Sequence, residues 1–317
     1  MGLDEVKTLA DNISRNVSRV IIGKEHLIRL LFTAVLAGGH VLLEDNPGTG
    51  KTMLAKAFAR SMDGDFKRVQ LTPDLMPSDI TGLNVYNQKL SEFQLVKGPV
   101  FTNILLADEI NRTTPRTQSS LLEAMEEKQV TIDGETMPLA APFIVIATEN
   151  PIETTGTYPL PEAQLDRFMM KLSMGETGKE DELAIVDRYI TESPLEQLEP
   201  VCTVSDIVRL QRAVKEVIIA PCVREYLVEI VLATRESNKI SLGVSTRGTL
   251  GLLRCVQAYA AISGRTFAEP DDVRTLAPYV LGHRVIVFGA SRQVTTGMEL
   301  INEIVRTVMV PIEDWES

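Results

Sequence analysis

The run Asp45-Asn46-Pro47-Gly48-Thr49-Gly50-Lys51-Thr52 constrains this chain more than any other feature. It follows a short apolar segment, His40-Val41-Leu42-Leu43-Glu44. It leads into a segment from Lys51 to about Met62 in which Met53, Leu54, Ala57 and Phe58 share one helical face. Strand, glycine-rich turn and helix open a parallel βαβ unit. A turn ending in Gly-Lys-Thr in that context reads as a phosphate-binding loop. Gly48 and Gly50 let the backbone curl so that its N–H groups point inward, and the following helix adds the positive end of its dipole. Asn46, Pro47 and Thr49 complete the loop. Lys51 would neutralise the β- and γ-phosphates, and Thr52 would supply a hydroxyl to Mg²⁺. The motif's first position ordinarily takes Gly, and this chain has Asp45.

Further apolar strands are expected at Arg68–Leu71, Asn103–Ala107 and Phe143–Ala147, with helical stretches such as Pro115–Glu127 between them. Continuous apolar strands alternating with helices predict a parallel sheet covered on both faces. Ile104-Leu105-Leu106-Ala107-Asp108-Glu109 ends in two acids. Downstream of a phosphate-binding loop, Asp108 would hold Mg²⁺, directly or through water, and Glu109 would orient and polarise an attacking water. Ile144–Pro151 is a third apolar strand ending in polar groups, where Asn150 could bond a γ-phosphate or the nucleophilic water. Leu83, Val85, Phe93 and Leu95 alternate with polar residues around Asn87-Gln88-Lys89, and Val130–Thr136 carries Asp133-Gly134 between alternating flanks. Both predict hairpins, either ordinary surface turns or protrusions that touch a partner.

Residues 3 to about 38 read as helix in two pieces, broken at Ile22-Gly23-Lys24. Gly175–Lys179 and Glu192–Pro200 read as loops, and everything beyond as helical. Thr203 and Asp206 form a capping-box start, followed by Ile207, Leu210, Val214 and Val217 at helical spacing. Later helices are expected at Pro221–Glu236, Thr246–Ile262, Pro270–Leu281 and Thr296–Val308.

Length and charge narrow the function classes. The 317 residues suggest about two domains. Lys+Arg 32 against Asp+Glu 43 gives −11, so no global field draws the chain onto nucleic acid or an anionic membrane, although a local basic groove remains open. Aromatics are sparse at 5%, with a single Trp at Trp315, which argues against broad base-stacking platforms. Cys202, Cys222 and Cys255 lie far apart and form no CxxC pair, as expected of inert thiols in a reducing compartment. The acidic, helical N-terminus does not read as a signal peptide, and no apolar run reaches the ~20 residues of a membrane span. A cytoplasmic protein is expected.

Taken together, these segments resemble the AAA+ ATPases and, within them, the MoxR family. The resemblance rests on the two motifs above and on ADEINR at Ala107–Arg112 and TQSSLLEAMEEKQVTIDG at Thr117–Gly134. It extends through ATENPIETTGTYPLPEAQLDRF at Ala147–Phe168 and GVSTRG at Gly243–Gly248. It implies a P-loop αβα core over 1–175, a linker over 176–200 and an all-α lid over 201–317. The core would carry a helix-2 insert near 81–97 and a pre-sensor-1 hairpin near 128–140.

The resemblance also implies roles. Asn150 would be sensor 1, although the commoner family wording has Gln where this chain has Glu149. An extra carboxylate there disfavours nearby phosphate unless it points away. Arg247 would be sensor 2, reaching from the lid to the γ-phosphate of its own subunit. Arg167 would be the arginine finger acting on the neighbour's nucleotide, with Arg112 and Arg116 as weaker candidates. Ile21, Ile22 and Gly23 would pack on adenine. The implied reaction is hydrolysis of ATP with Mg²⁺, in a homo-oligomeric ring with a hexamer favoured. The implied work is chaperone-like remodelling of a protein client, often beside a von Willebrand factor A partner. The alternatives are a magnesium-chelatase-like or nucleic-acid motor subunit and a nucleotide-binding scaffold that does not hydrolyse.

Overall fold

Five short strands pair side by side, all parallel, in the order Phe66–Gln70, Ile104–Asp108, Ile144–Glu149, Val41–Glu44, Met170–Leu172. Their apolar runs are continuous because both faces are covered. Val41, Leu43, Ile104, Leu106, Ile144 and Ile146 enter one core, whereas Leu42, Leu105, Ala107, Val145 and Ala147 enter the other. Each Val, Leu or Ile among them contributes about 1.5–3 kcal/mol on burial. Relative to the sequence expectation the strands shift by one to two residues, because the ladder pairs Phe66 with Ile104 and Gln70 with Asp108. The strand Ile144–Glu149, which leads into Asn150, lies between the P-loop strand and the acid-bearing strand, so all three sets of polar groups leave the sheet at its carboxyl edge.

In this computed structural model the described residues are 2–46, 48–151, 156–190, 194–288 and 296–311. Pro47, Glu192, Ser193 and Trp315 lie outside them.

Helices Leu3–Ser18 and Glu25–Leu36, separated by the Ile22-Gly23-Lys24 break, pack between the sheet-covering helix Lys51–Ser61 and the C-terminal helices. One continuous core therefore runs from the sheet through Phe32 and Phe58 to Tyr226, Leu252 and Leu276. Helix Pro115–Glu127 covers the opposite face through Leu121, Leu122 and Met125. The capping box at Thr203 forms, with Asp206 N donating to Thr203 Oγ1 at 3.3 Å and Asp206 Oδ2 accepting from Thr203 N at 2.9 Å. Helices Pro221–Glu236, Thr246–Ile262 and Pro270–Leu281 follow.

Two features depart from the sequence expectation. The segment 176–200 carries an eleven-residue helix, Lys179–Tyr189, whose Arg188 Nη1 donates to Ser18 O and Arg19 O at 2.8 and 2.6 Å. The helical C-terminal part also contains a two-stranded antiparallel ribbon, Ile240–Leu242 with Ile286–Val287, too short to register as periodicity.

Both hairpins form. Gly82–Asn87 pairs with Glu92–Lys97, and Gln129–Ile132 with Glu135–Pro138. Asp133 and Gly134 take φ of 50° and 88°, the left-handed pair that a tight two-residue hairpin turn needs. Asn84 Nδ2 donates to Asp133 Oδ2 at 2.9 Å and ties the two hairpins together. Among the described residues no helix is long and apolar enough to cross a membrane.

Candidate active site

The carboxyl edge of the sheet opens into a cleft of about 380 Å³. It is lined by Gly48 to Met53, Arg68, Gln70, Asp108, Glu109 and Thr148 to Asn150. Gly48 and Gly50 sit at φ 84° and 90°, which curls the loop, and helix Lys51–Ser61 starts directly after it. Lys51 Nζ donates to the carbonyls of Asp45 and Asn46 at 2.7 and 3.1 Å. The structure also explains the departure at Asp45. Its buried carboxylate turns away from the cradle and accepts from Ser173 Oγ at 2.7 Å and Met174 N at 2.6 Å, fastening the loop's base to the end of the Met170–Leu172 strand.

Asp108 and Glu109 are held by neighbours of which the sequence reading had singled out only Arg112. Arg68 Nη2 and Nε donate to Asp108 Oδ2 at 2.6 and 3.1 Å, and Thr148 Oγ1 donates to Asp108 Oδ1 at 2.6 Å. Thr148 Oγ1 in turn accepts from Glu109 N at 2.9 Å. Glu109 Oε2 accepts from Gln70 Nε2 at 2.7 Å and from Arg112 Nη1 at 3.0 Å. Glu109 adopts φ 58°, ψ 54°, a left-handed conformation that costs a non-glycine residue energy and that clusters at functional sites. Asn150 is buried beside them, and its carbonyl accepts from Asn111 Nδ2 at 3.4 Å. Burial pushes the Glu149 carboxyl above its ordinary value; Lys171 opposes that shift and Glu44 reinforces it. Lys171 itself binds Glu44 Oε1 at 2.6 Å. A raised Glu149 ionises less readily and repels phosphate less.

Ile21, Ile22 and Gly23 do not line this cleft. Gly23, at φ 69°, lies against helix Lys179–Tyr189 so closely that a Cβ there would meet Asp181 Oδ2 at 2.4 Å. Lys24 Nζ bonds Glu176 O at 2.8 Å nearby. The chain from Ser173 to Arg188 thus touches both the base of the P-loop and the turn at Ile21–Gly23.

The two principal arginines lie elsewhere. Arg247 and Arg167 converge on one carboxylate: Arg247 Nη2 pairs with Glu126 Oε1, and Arg167 Nε approaches Glu126 Oε2 at 3.2 Å. They share a cleft of about 560 Å³ with Gly38, Gly39, His40 and Met169. Those four residues precede strands Val41–Glu44 and Met170–Leu172, so this cleft lies at the amino edge of the sheet. The strand between His40 and Asp45 spans roughly 16 Å. Arg247 therefore does not reach the P-loop of its own chain, contrary to the reading of it as a sensor for its own nucleotide. Arg112 stands at the P-loop cleft on Glu109, and Arg116 is exposed at the start of helix Pro115–Glu127.

Sequence reasoning missed Arg68, Gln70, Thr148 and Glu126. The first two sit on an edge strand whose pairing with Ile104–Asp108 emerges only from the strand order. Glu126 is one of several acids on an exposed helix end.

Comparison with known proteins accords with this architecture. Residues 40–170 match the family model for the ATPase family associated with various cellular activities (AAA), and residues 232–304 match the AAA lid domain. The chain is 48% identical to the uncharacterized protein YeaC of Bacillus subtilis (strain 168), over 98% of this chain and 97% of that one. It is 39% identical to Chaperone MoxR1 of Mycobacterium tuberculosis (strain H37Rv), over 97% of this chain and 83% of the relative. The crystal structure of a candidate ATPase from Cytophaga hutchinsonii superposes with a TM-score of 0.90 at 38% identity, covering 97% and 96% of the two chains. The chain belongs to the MoxR family of AAA+ ATPases.

Proposed function

We propose that the chain hydrolyses ATP at an interface between its own copies, each P-loop cleft completed by the arginine cleft of the next subunit. The observation that carries this reading is the separation of the two clefts to opposite edges of one sheet. One edge has a phosphate cradle and two acids, and the other has two converging guanidinium groups with, among the described residues, no phosphate cradle beside them. Arg167 and Arg247 both serve the neighbour on this reading. Family membership supports nucleotide binding and ring assembly.

Water, oriented by Glu109 and Asn150, attacks the γ-phosphorus in line. The bond to the bridging oxygen breaks, leaving ADP, phosphate and a proton. Lys51, with Arg167 and Arg247 from the adjacent subunit, spreads the negative charge of the transition state, so catalysis is positioning and neutralisation. Mg²⁺ fits this cleft: it needs only one or two protein oxygens beside the phosphates, and Thr52 and Asp108 line the same space. When bound it would neutralise part of the negative charge on the phosphates. Arg68 and Thr148 fix the Asp108 carboxylate in place for that role.

The work we assign to the cycle is remodelling of a protein partner in the cytoplasm, with a von Willebrand factor A protein as one class of associate. The name of the chaperone relative supports a protein client. So does the hairpin Gly82–Lys97, which exposes Leu83, Val85, Tyr86 and Phe93, the last at 70%.

The test mixes two inactive variants. Arg167→Ala keeps Glu109, and Glu109→Gln keeps Arg167; each alone should be nearly inactive while still binding ATP. Together they should regain turnover, because some interfaces pair an intact Glu109 with an intact Arg167. Mixed assemblies that form yet stay inactive would defeat the reading. Turnover strongly stimulated by DNA would replace the protein client with a nucleic-acid track.

A further inference from the structure

The Arg284 guanidinium is buried, with its side chain only 3% exposed, and it stands apart from the P-loop cleft. All five of its N–H groups have acceptors. Nε donates to Asp166 Oδ1 at 2.6 Å. Nη2 donates to the carbonyls of Asp166 and Phe168 at 3.1 and 2.6 Å. Nη1 donates to the carbonyl of Met169 at 3.2 Å and to that of Val280. Three of the five bonds therefore grip main-chain carbonyls immediately around Arg167. His283 Nε2 adds a fourth hold, on Phe168 O at 3.0 Å.

The helix bearing Arg247 is shaped around the same group. A Cβ at Gly248 would sit 2.9 Å from Arg284 Cδ, and one at Gly251 would sit 3.7 Å from Nη2, so glycine at 248 leaves room for the arginine. Ser245, which caps that helix, donates to the free oxygen of Asp166, Oδ2, at 2.9 Å. A buried cation is costly unless every donor is met and a counter-charge is present, and here both conditions hold. Lysine could not replace it: three donors on a flexible stem cannot reproduce a planar five-donor fork.

We propose that Arg284 is the positioning residue for Arg167. It pins the segment Asp166–Met169 to the C-terminal helices, so that Arg167 and Arg247 face the adjacent subunit's phosphate as one rigid pair. It touches no nucleotide itself. The proposal rests on the reading that Arg167 acts in trans, and it couples the placement of one subunit's lid helices to hydrolysis in the next.

The experiment uses the full chain carrying Arg284→Lys. ATP affinity should stay within about two-fold of wild type, because the P-loop edge is untouched. Turnover at saturating ATP should fall by about 10²-fold, the scale at which a misplacement near 1 Å acts. Mixed with Glu109→Gln, whose Arg167 is correctly held, Arg284→Lys should regain turnover as Arg167→Ala does. A general folding defect would give no such recovery. Wild-type turnover in Arg284→Lys overturns the proposal. So does failure to recover on mixing when the Arg167→Ala and Glu109→Gln pair does recover. If that control pair itself fails, the reading of Arg167 is what falls. Should Arg284→Lys lose its cooperative melt, Asp166→Asn, which weakens the same pin from its more exposed side, is put through the same three measurements, and the same outcomes support or overturn the proposal.

Discussion

The two edges of the sheet are built by different means. At the carboxyl edge the functional groups are held by the backbone: two glycines at positive φ, a left-handed Glu109, and side chains from neighbouring strand ends. At the amino edge the groups are held by ion pairs across long stretches of chain. Arg247 is 121 residues from Glu126, and Arg284 is 118 from Asp166. The first kind of site is assembled from the carboxyl ends of four adjacent strands of one sheet, and its described lining takes no residue from the C-terminal helices. The second exists only when core and lid helices are docked. A machine that must bind nucleotide steadily and release its grip cyclically gains from keeping binding on the first kind and triggering on the second.

The comparison breaks most sharply at Arg167. Its removal should lower turnover at saturating ATP by roughly 10³–10⁵, the range measured for arginine fingers supplied in trans. Nucleotide affinity measured by titration should not change. An equal loss of affinity would mean that the amino edge also belongs to binding.

Glu109→Gln probes the other edge. Removing a group that orients and polarises water should cost about 10²–10⁴ in turnover while ATP stays bound. The Gln70 bond survives in part, because the amide oxygen still accepts from Gln70 Nε2. Turnover at the wild-type rate in this variant would remove Glu109 from the chemistry.

How much of each edge could be read from the sequence follows the same division. The P-loop, the acids Asp108 and Glu109 and Asn150 were legible, because contiguous motifs carry both their local geometry and their chemistry. The helices Pro115–Glu127 and Thr246–Ile262 were legible from periodicity and capping. Arg68 was not, because its role depends on which strand lies beside Ile104–Asp108, and strand order is a tertiary fact. Glu126, Asp166 and Arg284 were not, because a buried ion pair leaves no local signature: an arginine after an apolar helix reads as solvated until its neighbours are known. Arg247 was found as a residue, but its place at the edge of the sheet opposite the P-loop was not legible, since sequence does not say at which edge a C-terminal helix docks.

Acid should weaken the amino edge first. His40 is buried there. Its Nδ1 accepts from Val145 N at 2.9 Å and its Nε2 donates to Met125 O at 3.0 Å, and burial pulls its pKa down from 6.5 to about 4. The unfolded imidazole takes a proton near pH 6.5 and the folded one only near 4, so in that window the unfolded state binds more protons. Stability is full above pH 6.5 and falls by about 3 kcal/mol as pH drops to about 4. His283, half-buried and beside Arg284, is shifted in the same direction by desolvation and by the Arg284 charge. Denaturant melts between pH 7 and 5 should show this slope, and His40→Gln should flatten part of it. A variant with the wild-type slope would exclude His40 as its source.

The smallest effect expected is at Asp45, and it tests whether the carboxyl edge really is held by its own backbone. Asp45→Gly restores the ordinary residue of the motif and removes two hydrogen bonds, to Ser173 Oγ and Met174 N. Losing charge-assisted bonds of this kind costs about 1–3 kcal/mol in global stability. The glycines at 48 and 50 still curl the loop, and Lys51 still projects into the cradle, so ATP affinity should change by less than about five-fold, under the 1.4 kcal/mol that makes a ten-fold change. Stability falling while affinity holds would show that Asp45 fastens the P-loop to the Met170–Leu172 strand without shaping the cradle. A ten-fold loss of affinity with an unchanged melt would show the reverse: that the tether to Ser173 and Met174 sets the loop's geometry, and that even the carboxyl edge depends on chain more than a hundred residues away.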